Sequence, residues 1–374
     1  MNWLPLDGVR VVDFSMFVPG PFCSSILADL GAEVIKVEPP RGDPGRSYVP
    51  VQFRMENRNK RGIAVDLKNP LSKEIVERLV RKADVVIEGF RPGVAKRLGI
   101  DYDSLKKHKE GLVYCSISGY GQTGPWKDRP GHDVNYVAAA GGLAFPGGWL
   151  KSPARSSLPV ADMAGGSFAA IAVVSALYQK KQTGKGVQLD LSLFEAAFFM
   201  TAMRHGLEDN ADPRAHIFPV NDVFECADGA RLTLGVLEEH FWQNFVKLVP
   251  ELADASFATD ASRRANGDAL SRLLEKTFRQ KTGAQWVELC ETNDVPVDLC
   301  LTPAQSAKLA QMQERKATNK GFATFPVFAN GKRGGELRGG VPKLGEHARE
   351  ILVELGFDDG GIADMVRHGV LAQP

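Results

Sequence analysis

The opening segment, residues 9–38, restricts the fold more than any other part of this chain. Val9-Arg10-Val11-Val12-Asp13-Phe14 reads as a buried strand, and Pro19-Gly20-Pro21 follows as a turn. Residues 22–30 have helical spacing stopped by Gly31, and residues 33–38 form a second strand. A strand, a crossover helix and a second strand within roughly 30 residues make a βαβ unit, which implies a parallel sheet. The alternation continues with strand 63–67, helix 72–82, strand 84–87, a short helix after Pro92 and strand 112–117. An α/β, Rossmann-like large domain is the expected architecture.

Such a start invites a nicotinamide-dependent dehydrogenase, with Glu38 at the end of the second strand placed to bind a ribose. The first turn argues against it. Ser15-Met16-Phe17-Val18-Pro19-Gly20-Pro21 carries one glycine and two prolines, where dinucleotide binding needs three glycines for the tight turn and close pyrophosphate approach. A G-x-x-x-x-G-K-[ST] loop is also absent, which excludes a P-loop NTPase.

Beyond residue 201 the pattern changes through a polar stretch containing Asp209, Asn210, Asp212 and Pro213. A hairpin is expected from residues 223–226 and 231–235 around Asp228-Gly229, then helices near 239–248, 269–279 and 282–291. The expected organisation is a large domain over 1–200, a linker over 201–220, a small α+β domain over 221–318, and a return through 319–374 to complete the large domain.

The 46 basic and 45 acidic residues leave a formal charge of +1, so no global field draws the chain to nucleic acid or to an anionic membrane. The N-terminus lacks the basic start and apolar run of a secretion signal. The longest apolar stretch, 168–177, is about half of the roughly 20 residues that a membrane span requires, and reads as a buried helix. Five cysteines without a C-x-x-C pair fit reduced thiols rather than disulfides or a zinc site, and point to the cytoplasm.

Four features carry chemistry. His132, in Gly131-His132-Asp133 after Arg129-Pro130, stands at the mouth of a helix, where an imidazole is suited to proton transfer; equally, Asp133 caps the helix and His132 is a surface residue. Asp162 precedes Met163-Ala164-Gly165-Gly166 and a long apolar helix. It reads as a plain N-cap, or as a carboxylate beside backbone N–H groups that small residues leave open to a ligand oxygen. Glu238 and Glu239 start another helix and either favour its dipole or orient His132. Arg54, Arg58, Lys60, Arg61 and Lys68, with Arg91, Lys96 and Arg97, are a solvated basic face or a phosphate-facing surface.

Taken together, these residues resemble the class III CoA-transferases and their relatives, the α-methylacyl-CoA racemases. The matching segments include Gly8-Val9-Arg10-Val11-Val12-Asp13, Ala28-Asp29-Leu30-Gly31-Ala32-Glu33, residues 57–68, Gly89-Phe90-Arg91-Pro92-Gly93, residues 129–136, residues 162–167 and Lys343-Leu344-Gly345-Glu346-His347. They run in order along nearly the whole chain. The resemblance implies an interlocked homodimer with an inserted small domain and active sites shared between subunits. It implies coenzyme A bound as part of the thioester substrate, with no permanent cofactor. The matching contact positions are Val18, Pro19, Lys60, Val65, Asp66, Leu67, Lys68, Gly89, Phe90, Arg91, Arg97, Gly131, Asp133, Asn135 and Tyr136. Many relatives carry an arginine right after the acid that ends the second strand; here Pro39 stands there, with Arg41 two residues on.

The same resemblance divides on chemistry. In a transferase, Asp162 attacks the thioester carbonyl and forms an acyl-aspartyl anhydride and then an aspartyl-CoA thioester. In a racemase, Asp162 and His132 flank the α-carbon as two bases, with Glu238 as the histidine's partner. The Gly131-His132-Asp133-Val134-Asn135-Tyr136 segment favours the racemase. A CoA-binding protein without activity is the third alternative, against which the presence of all three candidate residues argues.

Overall fold

A computed structural model describes residues 3–210, 212 and 214–372; Pro213 of the expected linker lies outside the described residues. The chain divides into two compact units. One comprises residues 1–140, 157–200 and 309–374, the other 141–156 and 201–308. Residues 141–156, read from the sequence with the large domain, thus cluster with the second unit.

The first unit is built on six parallel strands: β1 Arg10–Asp13, β2 Glu33–Glu38, β3 Lys60–Ala64, β4 Val85–Glu88, β5 Val113–Ser118 and β6 Val187–Ser192, in the order β3-β2-β1-β4-β5-β6. Strand β3 starts three residues earlier than the apolar pattern indicates, because its register pairs Lys60 with Val34 and buries both. Near-continuous Val and Ile runs are what a strand covered on both faces requires. One face packs Val12, Ile35, Ile63 and Val86 against helices that include Ser72–Lys82 and the C-terminal Ala348–Glu354. The other face packs Val11, Val34, Val85 and Val113 against α1, Pro19–Asp29, and the long helix Val160–Thr183, here α2. Each such fully buried Val or Ile stabilises the fold by about 1.5–3 kcal/mol over leaving it in water.

Helix α2 has 24 residues and is long and apolar enough to cross a membrane by length and composition, although its continuous apolar stretch, 168–177, falls short of a span. Its inner face is made of small residues, Ala161, Gly165, Gly166, Ala169, Ala170, Val173 and Ala176, which let its backbone lie close to α1. A Cβ on Gly166 would stand 2.7 Å from the Pro19 carbonyl oxygen and 2.9 Å from the Phe22 ring. These glycines therefore serve helix packing. They do not expose N–H groups to a ligand.

The second unit holds a three-stranded antiparallel sheet, Asn221–Glu225, Arg231–Gly235 and Val297–Leu299. Helices Glu239–Leu248, Gly267–Phe278 and Gly283–Thr292 cover it around a core of Trp242, Phe245, Phe278 and Trp286.

Candidate active site

In an open α/β sheet, ligands bind outside the carboxyl ends of the strands where the strand order reverses. Here that point lies between β1 and β4. Two cavities open there, sharing Met16 and Phe90.

The larger cavity, about 890 Å³, is bordered by Val65, Asp66, Leu67, Lys68, Phe90 and Arg97. Arg41, Lys73 and Lys96 add positive charge at its rim, and Pro39 shares the lining. A cavity that combines cations with an apolar floor suits a nucleotide-like phosphate ester. The sequence offered no signal for Lys73, which stands in the first turn of an amphipathic helix like any solvated lysine.

The smaller cavity, about 370 Å³, brings together Val18, Pro19, Gly89, Arg91, Gly131, His132, Tyr136 and Asp162. His132 is the exposed residue from which the helix Asp133–Ala139 starts, and its backbone N–H donates to Asn135 Oδ1 at 3.0 Å. Asn135 does not border either cavity; its side chain is engaged by that turn. Tyr136 donates its hydroxyl to the Gly131 carbonyl at 2.6 Å. Burial, and then the nearby Asp162 charge, push that phenol up to about 12.

Asp162 is not an N-cap. Helix α2 starts after Pro159, and Asp162 is its third residue. The cap comes from elsewhere: Asp133 Oδ1 accepts the N–H of Ala161 at 2.7 Å and that of Asp162 at 3.4 Å. Asp133, only 7% exposed, is thus committed to α2 and does not border either cavity. Burial, followed by the charge of Asp133, raises the Asp162 carboxyl to about 7. Asp162 can therefore take or give a proton near neutrality.

Three further polar positions are engaged inside the fold. Lys60 borders neither of the two cavities at the carboxyl ends of the strands. Its ammonium is fully buried, donating to Pro21 O and Asn57 Oδ1 at 3.0 Å each and pairing with Asp13 at 3.3 Å. Burial lowers its pKa to about 8 despite the Asp13 charge. Glu38 is unavailable to a ribose, since Arg46 holds it through two hydrogen bonds of 2.8 and 2.7 Å. Most of the first basic patch is internal to the fold: Arg58 pairs with Asp29, and Arg61 with Glu33, Glu350 and Glu354. Glu238, in the second unit, precedes the helix Glu239–Leu248 with an exposed carboxylate that makes no cap hydrogen bond, whereas Glu239 pairs with Arg263 at 2.7 Å.

The family model described as CoA-transferase family III matches residues 6–348. The chain belongs to CoA-transferase family III. Among its relatives in this family, the acetyl-CoA:oxalate CoA-transferase of Acetobacter aceti is 35% identical, over 94% of this chain and 95% of that one. The human α-methylacyl-CoA racemase is 28% identical over 95% of this chain and 94% of its own length. A solved structure of a CaiB/BaiF family protein from Brucella suis superposes with a TM-score of 0.85 at 31% identity, covering 95% of this chain and all of that one. The chain is an enzyme of CoA-transferase family III, whose members use CoA thioesters, and its relatives include both transferases and a racemase.

Proposed function

We propose that this protein is an acyl-CoA racemase acting on 2-methylacyl-CoA thioesters. One observation carries the reading. His132 and Asp162 border the same small cavity, and the Asp162 carboxyl is held at about 7. Inverting a carbon centre requires one group to remove the α-proton from one face while a second delivers a proton to the other. In one direction Asp162 is the carboxylate base and His132 the acid, and in the reverse direction the roles exchange. The thioester oxygen carries the negative charge of the enolate between the two steps. The larger cavity, with Lys68, Arg97, Lys96 and Arg41, takes the phosphate end of coenzyme A. No permanent cofactor enters this scheme.

The same proposal includes a homodimer. Helix α2 presents Ile171, Val174 and Tyr178, and the helix Leu193–Thr201 presents Phe198, Phe199 and Met200, at 37–71% exposure. Exposed apolar side chains along two helices call for a partner, and a second copy of the chain is the one the resemblance implies. Glu238, supplied by that second copy, would hold the His132 imidazole in one tautomer. Five free cysteines, four of them buried, favour a cytoplasmic setting.

Incubation with 2-methylacyl-CoA thioesters in deuterated water should place deuterium at the α-carbon. A panel of such thioesters with no incorporation would sink the racemase reading. The transferase reading is kept because the 35% identical relative is a CoA-transferase. In that case a carboxylic acid acceptor would be needed, and hydroxylamine added during turnover would trap Asp162 as its hydroxamate.

A further inference from the structure

The turn that leaves β1 holds a residue in a conformation its own side chain disfavours. Phe17 has φ of +63°, in the left-handed region that residues with a Cβ seldom occupy and that gathers at functional sites. The residue is 48% exposed, so close packing of its ring does not impose the backbone. Buried polar groups do. Asp43 Oδ1 accepts the N–H of Phe17 at 3.3 Å, and Lys36 Nζ donates to the Ser15 carbonyl at 3.0 Å and to Asp43 Oδ2 at 2.9 Å. Asp13 Oδ1 accepts the N–H of Ser15 at 2.9 Å. Asp43 is itself held, accepting from the N–H of Gly45 at 2.8 Å and donating its own N–H to Glu38 at 2.8 Å.

Lys36 and Asp43 are fully buried and border neither cavity at the strand ends. A buried ion pair contributes little stability beyond what apolar side chains of the same volume supply. Its location under one strained turn calls for a different reason. That turn, 15–18, borders the small cavity through Met16, Phe17 and Val18, and Met16 also borders the larger one. It runs into Pro19, whose carbonyl lies against Gly166 on the helix of Asp162.

We infer that Lys36 and Asp43 are a positioning pair. They lock the 15–18 turn into the one conformation that sets Phe17 and Val18 against the reacting end of the thioester, opposite Asp162. The inference rests on the proposal that the small cavity is the reacting one. A displacement of about 1 Å at such a wall can cost on the order of a hundredfold in rate. Neither residue touches substrate, so the effect is expected in turnover rather than in binding of the distant phosphates.

The test uses the full chain with Lys36→Met and Asp43→Leu together, which fills the same space with apolar groups. Amide hydrogen exchange in the 15–18 turn should accelerate at least about tenfold, and kcat should fall at least about tenfold. KM for the CoA thioester should move less than about threefold, while the thermal midpoint falls, because the Ser15 carbonyl and the N–H groups of Phe17 and Gly45 lose their buried partners. A loosened turn with kcat intact, or a turn as protected as in the parent, overturns the inference. Should that variant fail to fold, Phe17 offers an exposed alternative. Phe17→Val resists the left-handed region and should lower kcat more than Phe17→Gly, which adopts it freely; the reverse order overturns the inference equally. Turnover is read as α-deuterium exchange. If the parent protein exchanges no deuterium but transfers CoA, the racemase reading fails and the same comparisons are made on CoA transfer.

Discussion

The Asp133 carboxylate accepts the N–H of Ala161 at 2.7 Å and thereby caps the helix whose third residue is Asp162. A negative charge is thus fixed beside Asp162 by a structural role. Burial, with that charge added to it, raises the carboxyl to about 7.

This has a consequence for stability. The folded carboxyl binds its proton more tightly than the usual 3.8, so its contribution is present at low pH and is lost as pH rises from about 4 through about 7. The linkage amounts to at most about 4 kcal/mol. Urea unfolding at pH 5 and pH 8 should show the parent protein losing stability across that range and Asp162→Asn losing less.

The pH profile of activity should move with the cap. Asp133→Asn keeps an oxygen for the Ala161 N–H but removes the charge. The limb of kcat/KM that reports Asp162 should shift to lower pH by less than about one unit, because burial, the larger cause, remains. A steady-state pH series on both proteins reads this directly.

Under the two-base reading, His132→Ala and Asp162→Asn should each lower racemisation by about 10²–10⁴-fold, the usual range for a lost acid or base. Chiral analysis of the acyl group after incubation measures it. Full racemisation by His132→Ala would remove the two-base assignment.

Lys60 and Lys68 separate structure from binding. Lys60→Met leaves Asp13 buried without its closest lysine and should cost about 3–5 kcal/mol in denaturant unfolding, with little change in KM. Lys68→Ala, on an exposed residue at the rim of the larger cavity, should leave stability unchanged and raise KM for the thioester by about two- to fivefold.

Gly166→Ala should destabilise the first unit by about 1–3 kcal/mol, because the new methyl meets the Pro19 carbonyl and the Phe22 ring and the two helices must separate. A thermal melt checks the cost. A parallel fall in kcat would show that the α1–α2 contact also sets the distance between the 15–18 turn and Asp162.

The strand-helix alternation was legible because parallel strands buried on both faces must be apolar runs, and these runs are unbroken at Val11-Val12, Val34-Ile35 and Val85-Val86. The hairpin around Asp228-Gly229 was legible from turn chemistry. What misled was polarity at strand ends. Lys60 looked like a solvated or phosphate-facing cation, since nothing in the neighbouring sequence marks Asp13, 47 residues earlier, as its partner. Arg46, the partner of Glu38, was equally unseen.

The role of Asp162 shows where the division falls. Local sequence sufficed to place a carboxylate at the start of a long apolar helix and a histidine at the start of another, since helix entry depends on residues within a few positions. Which carboxylate caps which helix depended on the fold bringing residues 133 and 161 together, as did the cavity shared by His132 and Asp162. The proton affinity of Asp162 followed from that placement, because desolvation and a neighbouring charge act through space.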